Sequence, residues 1–548
     1  MSTLYADDLS ISFAAARMTT AERRIQLAID RVSKWASERG LRFSCEKTVA
    51  VHFCKIRGVH PDPDLYMYGR RIPCKEEARF LGLTFDRRLT WTAHLRSVKA
   101  ECLRALNLLK VLSHTTWGAD RRTLLMLHET LILSKLEYGC EVYSFATTPR
   151  LKTLDSIHHA GVRLATGAFK SSPIPSLLVD AGCLPMDLRR KSSILKCWYR
   201  LKRIPGSQAR RAMEGDCRLQ TYRDRPGITK PFGHRASAII CELAALTSPV
   251  LEHKGPKICP WLLPEVTLCR SIASDRETMS PDCQLQEVLD HFNQHSRSVP
   301  VFTDGSKSDG GTGFAVVFPS FSRSFSIPKC SSIFTAELRA ILYAITLFLS
   351  LPQRHFTIYS DSLSALQALC AWNSGNPLVL EILEWLYLLK RRGRQVDLCW
   401  VPAHVGIRGN EEADTLAKAA ALTPPSERFA VPADDVRPDI KRSVRDTWRE
   451  TWLTMDRNKL RAIKPDIQPW DYQGLSRKQE TILARLRIGH SRLTHGHLME
   501  DAPPYCDDCI VPLSMHHIVA ECPSLGDLRR RWLQRHCRDD GTYDLSSI

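Results

Sequence analysis

No stretch of the 548-residue chain reaches the roughly 18 uninterrupted apolar residues of a membrane-crossing helix; the longest candidates are broken by Arg339 or by His128 and Glu129. The opening residues MSTLYADDLS carry neither a basic start nor an apolar core, so a cleaved secretory leader is not expected. The 19 cysteines are scattered without a disulfide-like spacing. Together these absences predict a soluble protein of a reducing, intracellular setting, nucleus or cytoplasm, with no membrane partner and no secretion. Acid is the scarcer charge: 59 Asp and Glu against 77 Lys and Arg leave a formal net charge of +18, which attracts polyanions, nucleic acid first among them. A hydrophobic content of 43% and a charged content of 25% are ordinary for folded protein, and the length suggests three or four domains.

What the chain does contain is an ordered series of acids in residues 297–422. Val301-Phe302-Thr303-Asp304-Gly305-Ser306 reads as a buried strand ending in a carboxylate, with Asp304 at its edge. Gly313 to Phe318 and Phe325 to Ile327 follow across short turns, so three antiparallel strands are expected. The period then changes. Phe334, Leu338, Ile341, Ile345 and Phe348 keep helical spacing, and Glu337 falls on the same buried stripe. Phe356 to Asp361 is again a strand closing on an aspartate, followed by helices over Ser364 to Trp372 and about Leu378 to Lys390, then by the strand Val396 to Val401. Beyond it a glycine-containing loop with His404 opens a helix that carries Asn410 and Asp414.

Strand ends and a helix start are where open α/β sheets gather ligands, so Asp304, Glu337, Asp361 and Asp414 are expected to converge. Clustered carboxylates raise one another's pKa, and divalent cations relieve that repulsion. Oxygen-only ligands favour magnesium or manganese over zinc. Two such ions about 3.5 to 4 Å apart would clamp the attacking and leaving oxygens of a phosphoryl displacement, and the imidazole of His404 would shuttle a proton.

With TDGS, FTAELRAILYAI, IYSDSLSALQAL and WVPAHVGIRGNEEADTLAKAA in this order, the segment resembles the type I ribonuclease H family over its full domain length. The resemblance implies a mixed five-stranded sheet with flanking helices, cleavage of the RNA strand of RNA-DNA hybrids, magnesium at Asp304, Glu337, Asp361 and Asp414, His404 as the loop histidine and Asn410 as a substrate contact. The family's extra basic handle helix has no counterpart in the Asn-Ser-Gly-Asn-Pro joint before Leu378.

At the start of the chain, Leu4-Tyr5-Ala6-Asp7-Asp8-Leu9-Ser10-Ile11 suits a tight hairpin with carboxylates at its tip. The YADD box, then GLRFSCEKT and FLGLTFDRRLTW, resembles the closing part of a non-LTR retrotransposon reverse transcriptase palm, which implies that Asp7 and Asp8 are its paired aspartates. The upstream aspartate, finger strands and nucleotide-binding helix of that family do not fit before Tyr5, so a truncated palm is expected over residues 1–91. Residues 92–296 read as a mainly helical thumb or connection, with Leu103, Leu106, Leu109, Leu124, Leu127, Leu131 and Leu133 on apolar faces, and with a basic turn-rich stretch from Arg200 to Arg235 that includes Arg223 and Arg225.

After the hydrolase, Thr423-Pro424-Pro425-Ser426 marks a boundary, and residues 423–500 read as a basic helical linker in which the cations of LARLRIGHSRLTH face phosphates. In residues 501–548, Cys506 and Cys509 are followed by His517 after seven intervening residues and by Cys522 after four more. Three thiolates and an imidazole form a soft four-coordinate set suited to one zinc ion, and the spacing resembles a CCHC knuckle. His516 is the alternative nitrogen donor, although the gap to Cys522 favours His517. The leading expectation is therefore hybrid RNA hydrolysis, with RNA and DNA as partners. The alternatives are a non-catalytic nucleic-acid-binding remnant, or an RNA-directed DNA polymerase if a longer product supplies the upstream palm.

Overall fold

The computed structural model describes all residues except 1, 55–60, 215–229, 244–248, 254, 256, 265, 267, 270–279, 372–374, 425–428, 471–473, 496–503, 535–536 and 538–548. Arg223 and Arg225, Trp372, Asn373 and Ser374 at the joint before Leu378, and Pro425 with Ser426 therefore lie outside the described residues. Contacts divide the chain into two units, residues 191–447 and residues 1–190 with 448–548.

In the first of these units, strands β1 (Val299–Lys307), β2 (Thr312–Val317) and β3 (Ser322–Ile327) form an antiparallel meander. Helix α1 (Ile333–Leu347) follows, then β4 (His355–Ser360), α2 (Leu363–Cys370), α3 (Pro377–Arg391), β5 (Gln395–Trp400) and α4 (Arg408–Ala421). The sheet order is β3-β2-β1-β4-β5, with β4 and β5 parallel to β1, so the expected mixed five-stranded sheet with flanking helices is present. A two-residue strand, Leu268–Cys269, adds a sixth position parallel to β5. It is too short to carry a periodic signal in the sequence.

Local chemistry explains the boundaries. The Ser332 hydroxyl accepts from the Thr335 N–H and caps α1; the Asn376 side chain accepts from the Leu378 N–H at 2.9 Å and caps α3, with Pro377 in its first turn. Gly393, at φ +68°, turns the chain out of α3 in the left-handed region. Between the layers, Ile341, Ile345, Phe348, Phe356 and Ile358 are fully buried, and the rings of Phe348 and Phe356 stack with centroids 4.0 Å apart. Helix α2 ends at Cys370 and α3 begins at Pro377, while Trp372, where the sequence placed the end of α2, lies outside the described residues.

In the other unit, Ser2–Tyr5 pairs with Asp8–Ile11 as the expected tight hairpin. Helices Thr92–Leu112, Arg121–His128 and Thr148–Thr166 bury Leu106, Leu109, Leu124 and Leu154, and the turns Glu129–Leu133 and Ser134–Glu137 add the buried Leu133 and Leu136. Leu103 and Leu131 instead lie at the surface, 41% and 36% exposed.

Described residues after 448 also belong to this unit by their contacts. Helix Arg477–Ile488 begins with a capping box between Ser476 and Gln479. Its first turn supplies Glu480, whose carboxylate accepts the Arg121 N–H at 2.9 Å and lies 3.6 Å from Arg477. Arg121 pairs in turn with the fully buried Asp180 at 2.8 Å, and Arg477 donates to the carbonyls of Leu164 and Ala165. Arg485 donates to the Gly167 carbonyl and Arg487 lies over the Trp470 ring, so these two cations of the LARLRIGHSRLTH stretch meet protein where phosphate was expected. A buried charge network thus joins residues 121–180 to residues 477–480, segments far apart in sequence.

Candidate active site

Asp304 lies inside β1, not at its end, because the antiparallel pairing with β2 continues through Lys307↔Thr312. On the other side of β1, pairing with β4 stops at Thr303↔Ser360. The next step along each strand is Asp304 and Asp361, so the end of the parallel ladder sets the two carboxylates side by side. Glu337 arrives from the first turns of α1, which comes unusually close to β1 at Gly305: a methyl group there would stand 2.6 Å from the Glu337 backbone nitrogen. Any side chain at 305 would push α1, and Glu337 with it, away from the sheet.

One carboxylate oxygen from each of Asp304, Glu337 and Asp361 lies within 4.8 Å of the others. Asp304 and Glu337 are 5% exposed, and the structure gives Asp304 Oδ2 and Glu337 Oε2 no hydrogen-bond partner. Burial, then the charges of Asp361 and Asp414, push the Asp304 carboxyl up to about 7. Burial followed by Asp304 and Asp361 raises Glu337 well above the usual carboxylate range. Buried, unpartnered hard oxygens in close array suit a divalent cation, and magnesium fits this donor set.

Asp414 is not part of the close triad. It sits in the second turn of α4, and its Oδ2 accepts from Lys418 Nζ at 2.7 Å, one turn further along the same helix. Asn410 is buried at 3% exposure and donates its amide to Asp361 Oδ2 at 3.1 Å, so the residue expected to touch substrate has a carboxylate as its partner here. His404 is exposed in a turn with φ +58°, and the neighbouring Gly406 N–H donates to Glu411. Lys418 and Trp400, whose indole N–H donates to the Asp361 carbonyl at 3.0 Å, were not singled out in the sequence. The four-residue spacing from Asp414 was the available signal for Lys418; Trp400 is tied to Asp361 by the register Ser360↔Trp400.

The second cluster is Cys506, Cys509, His517 and Cys522, whose ligand atoms also lie within 4.8 Å of one another. The Cys522 sulfur is 3.7 Å from that of Cys506 and 3.8 Å from that of Cys509. His517 keeps Nε2 buried and without a partner while Nδ1 lies 3.6 Å from Glu521. A metal-bound imidazole has that arrangement, its other nitrogen held by a carboxylate. His516 turns its ring to the same Glu521 from the surface, which leaves His517 as the nitrogen donor. The Ser524 hydroxyl, against some burial, draws the Cys522 thiol down to about 6, whereas burial and the neighbouring thiols push Cys509 up to about 12. A thiolate beside thiols is a set that zinc fits.

Asp7 and Asp8 are exposed at the hairpin tip and join no group of three ligands among the described residues. No helix among the described residues is long and apolar enough to cross a membrane.

Comparison with known proteins places these sites in context. Residues 296–422 match the RNase H family. The chain is similar to the probable RNA-directed DNA polymerase from transposon X-element of Drosophila melanogaster, 28% identical over 169 residues, which are 30% of this chain and 18% of that protein. It is similar to the RNA-directed DNA polymerase from mobile element jockey of the same fly, 26% identical over 169 residues, again 30% and 18% of the two chains. The Retrovirus-related Pol polyprotein from type-1 retrotransposable element R1 4 of Nasonia vitripennis is 21% identical over 232 residues, 38% of this chain and 59% of that one. The chain thus spans less than a fifth of the two fly proteins' length. Residues 296–422 are a ribonuclease H domain, and the relatives of the chain are reverse transcriptase and Pol proteins of non-LTR retrotransposons.

Proposed function

We propose that this chain hydrolyses the RNA strand of RNA-DNA hybrids at Asp304, Glu337, Asp361 and Asp414. The observation that carries this is the close triad of buried carboxylates with two unpartnered oxygens, in a domain of the ribonuclease H family. Those four side chains would hold two magnesium ions, which when bound supply activation of water and neutralisation of charge on the phosphate. Asn410 holds Asp361 in orientation through its amide. Asp304, raised to about 7, gives up its proton near neutral pH, so the site gains the charge that a cation needs in that range. Lys418 shares Asp414 until the carboxylate is drawn into the cluster. His404, exposed on its turn, exchanges protons with solvent during product departure. The +18 surplus supplies the sequence-independent attraction for hybrid, RNA and DNA. Zinc at Cys506, Cys509, His517 and Cys522 fixes the knuckle fold, which adds to the grip on nucleic acid.

The rival reading is binding without cleavage, and the Asp414–Lys418 pair favours it, since it neutralises one of the four ligands. One experiment separates the two. The full chain, in magnesium, is expected to cut RNA within a hybrid and to leave single-stranded RNA intact. Asp361→Asn keeps the size of the side chain and deletes its charge, so cleavage should vanish while hybrid binding persists. Cleavage undiminished in that variant, or absent from the unsubstituted chain, refutes the assignment.

A further inference from the structure

One helix that packs against residues two positions from Asp304 and Asp361 lies outside the ribonuclease H match. Pro281–Gln294 precedes β1, and the family match begins at 296. A sheet of this kind needs both faces covered. On one face α4 packs over β1, β2 and β3. Side chains alternate along strands, so Phe302 shares the face of Asp304, and Tyr359 that of Asp361, which follows β4. Tyr359 of β4 and its register partner Cys399 of β5 are 1% and 0% exposed on that same face.

Against them lies the helix Pro281–Gln294. His291 Nδ1 is 3.1 Å from the Tyr359 hydroxyl and His291 Nε2 is 3.9 Å from the Cys399 sulfur. The Phe292 ring meets Tyr359 edge-on at 4.7 Å and Phe302 edge-on at 5.9 Å, while Phe302 and Tyr359 stack on each other at 5.3 Å. Each of those two rings is two residues from a triad carboxylate, Phe302 from Asp304 and Tyr359 from Asp361. The same Phe302 ring bears on the start of α4, where a methyl group on Gly409 would stand 2.3 Å from it, next to Asn410 and its bond to Asp361. At the other end of the helix, a methyl on Gly406 would stand 3.7 Å from Leu285 Cδ2, so Leu285 borders the loop of His404.

We propose that the helix Pro281–Gln294 is a working part of the hydrolase: His291 and Phe292 are positioning residues for Asp304 and Asp361, and Leu285 braces the His404 loop. This inference rests on the proposed nuclease reading. It means that the functional domain begins near Ser280. A displacement of about 1 Å at a reacting centre costs up to about 100-fold in rate, so loss of this support should be read in the chemical step and not in substrate binding.

The test uses the full chain with His291→Ala, its conservative counterpart His291→Asn, and Tyr359→Phe, which keeps the ring and deletes only the hydroxyl. Hybrid cleavage is followed for kcat and KM, and the rise in melting temperature on titrating magnesium is measured separately. His291→Ala should lower kcat roughly 10- to 100-fold, leave KM for the hybrid unchanged and move the magnesium midpoint upward; His291→Asn should recover most of both. Should His291→Ala fail to fold, Tyr359→Phe still carries the test, with a smaller change in the same two readouts. Folded variants with unaltered kcat and an unaltered magnesium midpoint overturn the inference while leaving the nuclease reading intact. An unsubstituted chain that neither cuts hybrid nor responds to magnesium brings down the nuclease reading, and this one with it.

Discussion

Replacing Asp304 by asparagine should make the metal-free protein more stable while destroying its activity. Burial and two neighbouring carboxylates raise Asp304 to about 7 in the folded chain, against about 3.9 in an unfolded one. Below about pH 4 both states hold the proton and the group contributes nothing to the difference. Between about pH 4 and 7 the unfolded chain releases a proton that the folded chain retains, so ionisation favours unfolding progressively; above about 7 both are ionised and the full penalty stands. Roughly three units at 1.36 kcal/mol each set that penalty at about 4 kcal/mol. The asparagine amide carries no charge but inherits a position where Asp304 Oδ2 has no partner, which returns about 1 kcal/mol or more of cost. Glu337 meanwhile loses the repulsion of Asp304. The net expectation is a gain of about 1 to 3 kcal/mol at pH 8 that falls with pH and becomes a loss of about 1 kcal/mol near pH 4, where only the cost of the unpartnered amide remains. Urea unfolding of both proteins in chelator, across that pH range, measures it. A variant less stable than the parent at pH 8, or a difference independent of pH, refutes the reasoning. With magnesium present the order should reverse, because the parent alone keeps a full set of ligands.

In the other unit, Glu480→Ala leaves Arg477 and the Arg121 N–H buried without their shared acceptor and should cost about 3 kcal/mol or more in chemical unfolding, with Glu480→Gln costing less; a loss below 1 kcal/mol would mean the network is incidental. Metal analysis of the full chain is expected to find one zinc, lost on Cys509→Ser and retained on His516→Ala, since His517 holds the inward nitrogen; equal zinc in all three proteins would refute the knuckle assignment.

The carboxylate triad was legible because Glu337 falls on a helical stripe that follows strand-like alternation and Asp361 stands where a strand passes into a helix, and such passages mark the ends of elements where ligands collect. The same logic misplaced the end of β1. Gly305 and Ser306 look like a turn in isolation, yet β2 supplies pairing through Lys307, and that information lies in the partner strand. The helix Pro281–Gln294 was swallowed by the long helical stretch 92–296, since an amphipathic pattern reveals that a face is buried but not what buries it. Arg485 and Arg487 were read as facing phosphate for a related reason: charge alone does not reveal that a carbonyl at Gly167 and the ring of Trp470 wait for them. The grouping of Cys506, Cys509, His517 and Cys522, by contrast, was readable because four residues close together in sequence carry their own geometry.

The unit that holds the ribonuclease H domain, residues 191–447, interrupts the other unit in the order of the chain. During synthesis it can close on itself as soon as its last residue has emerged, because every strand of its sheet is then available. The segment before it has no such freedom. Arg121 and Asp180 are made early, but Glu480 and Arg477 reach them only after residues 191–447 have been translated, so the buried network stays open through that interval. A unit that matures first, inserted in sequence into one that matures last, also resists separation by a single cut: a protease nicking one of the two chain crossings leaves the two flanking segments held by their own contacts, and both crossings must be severed to release the inserted unit.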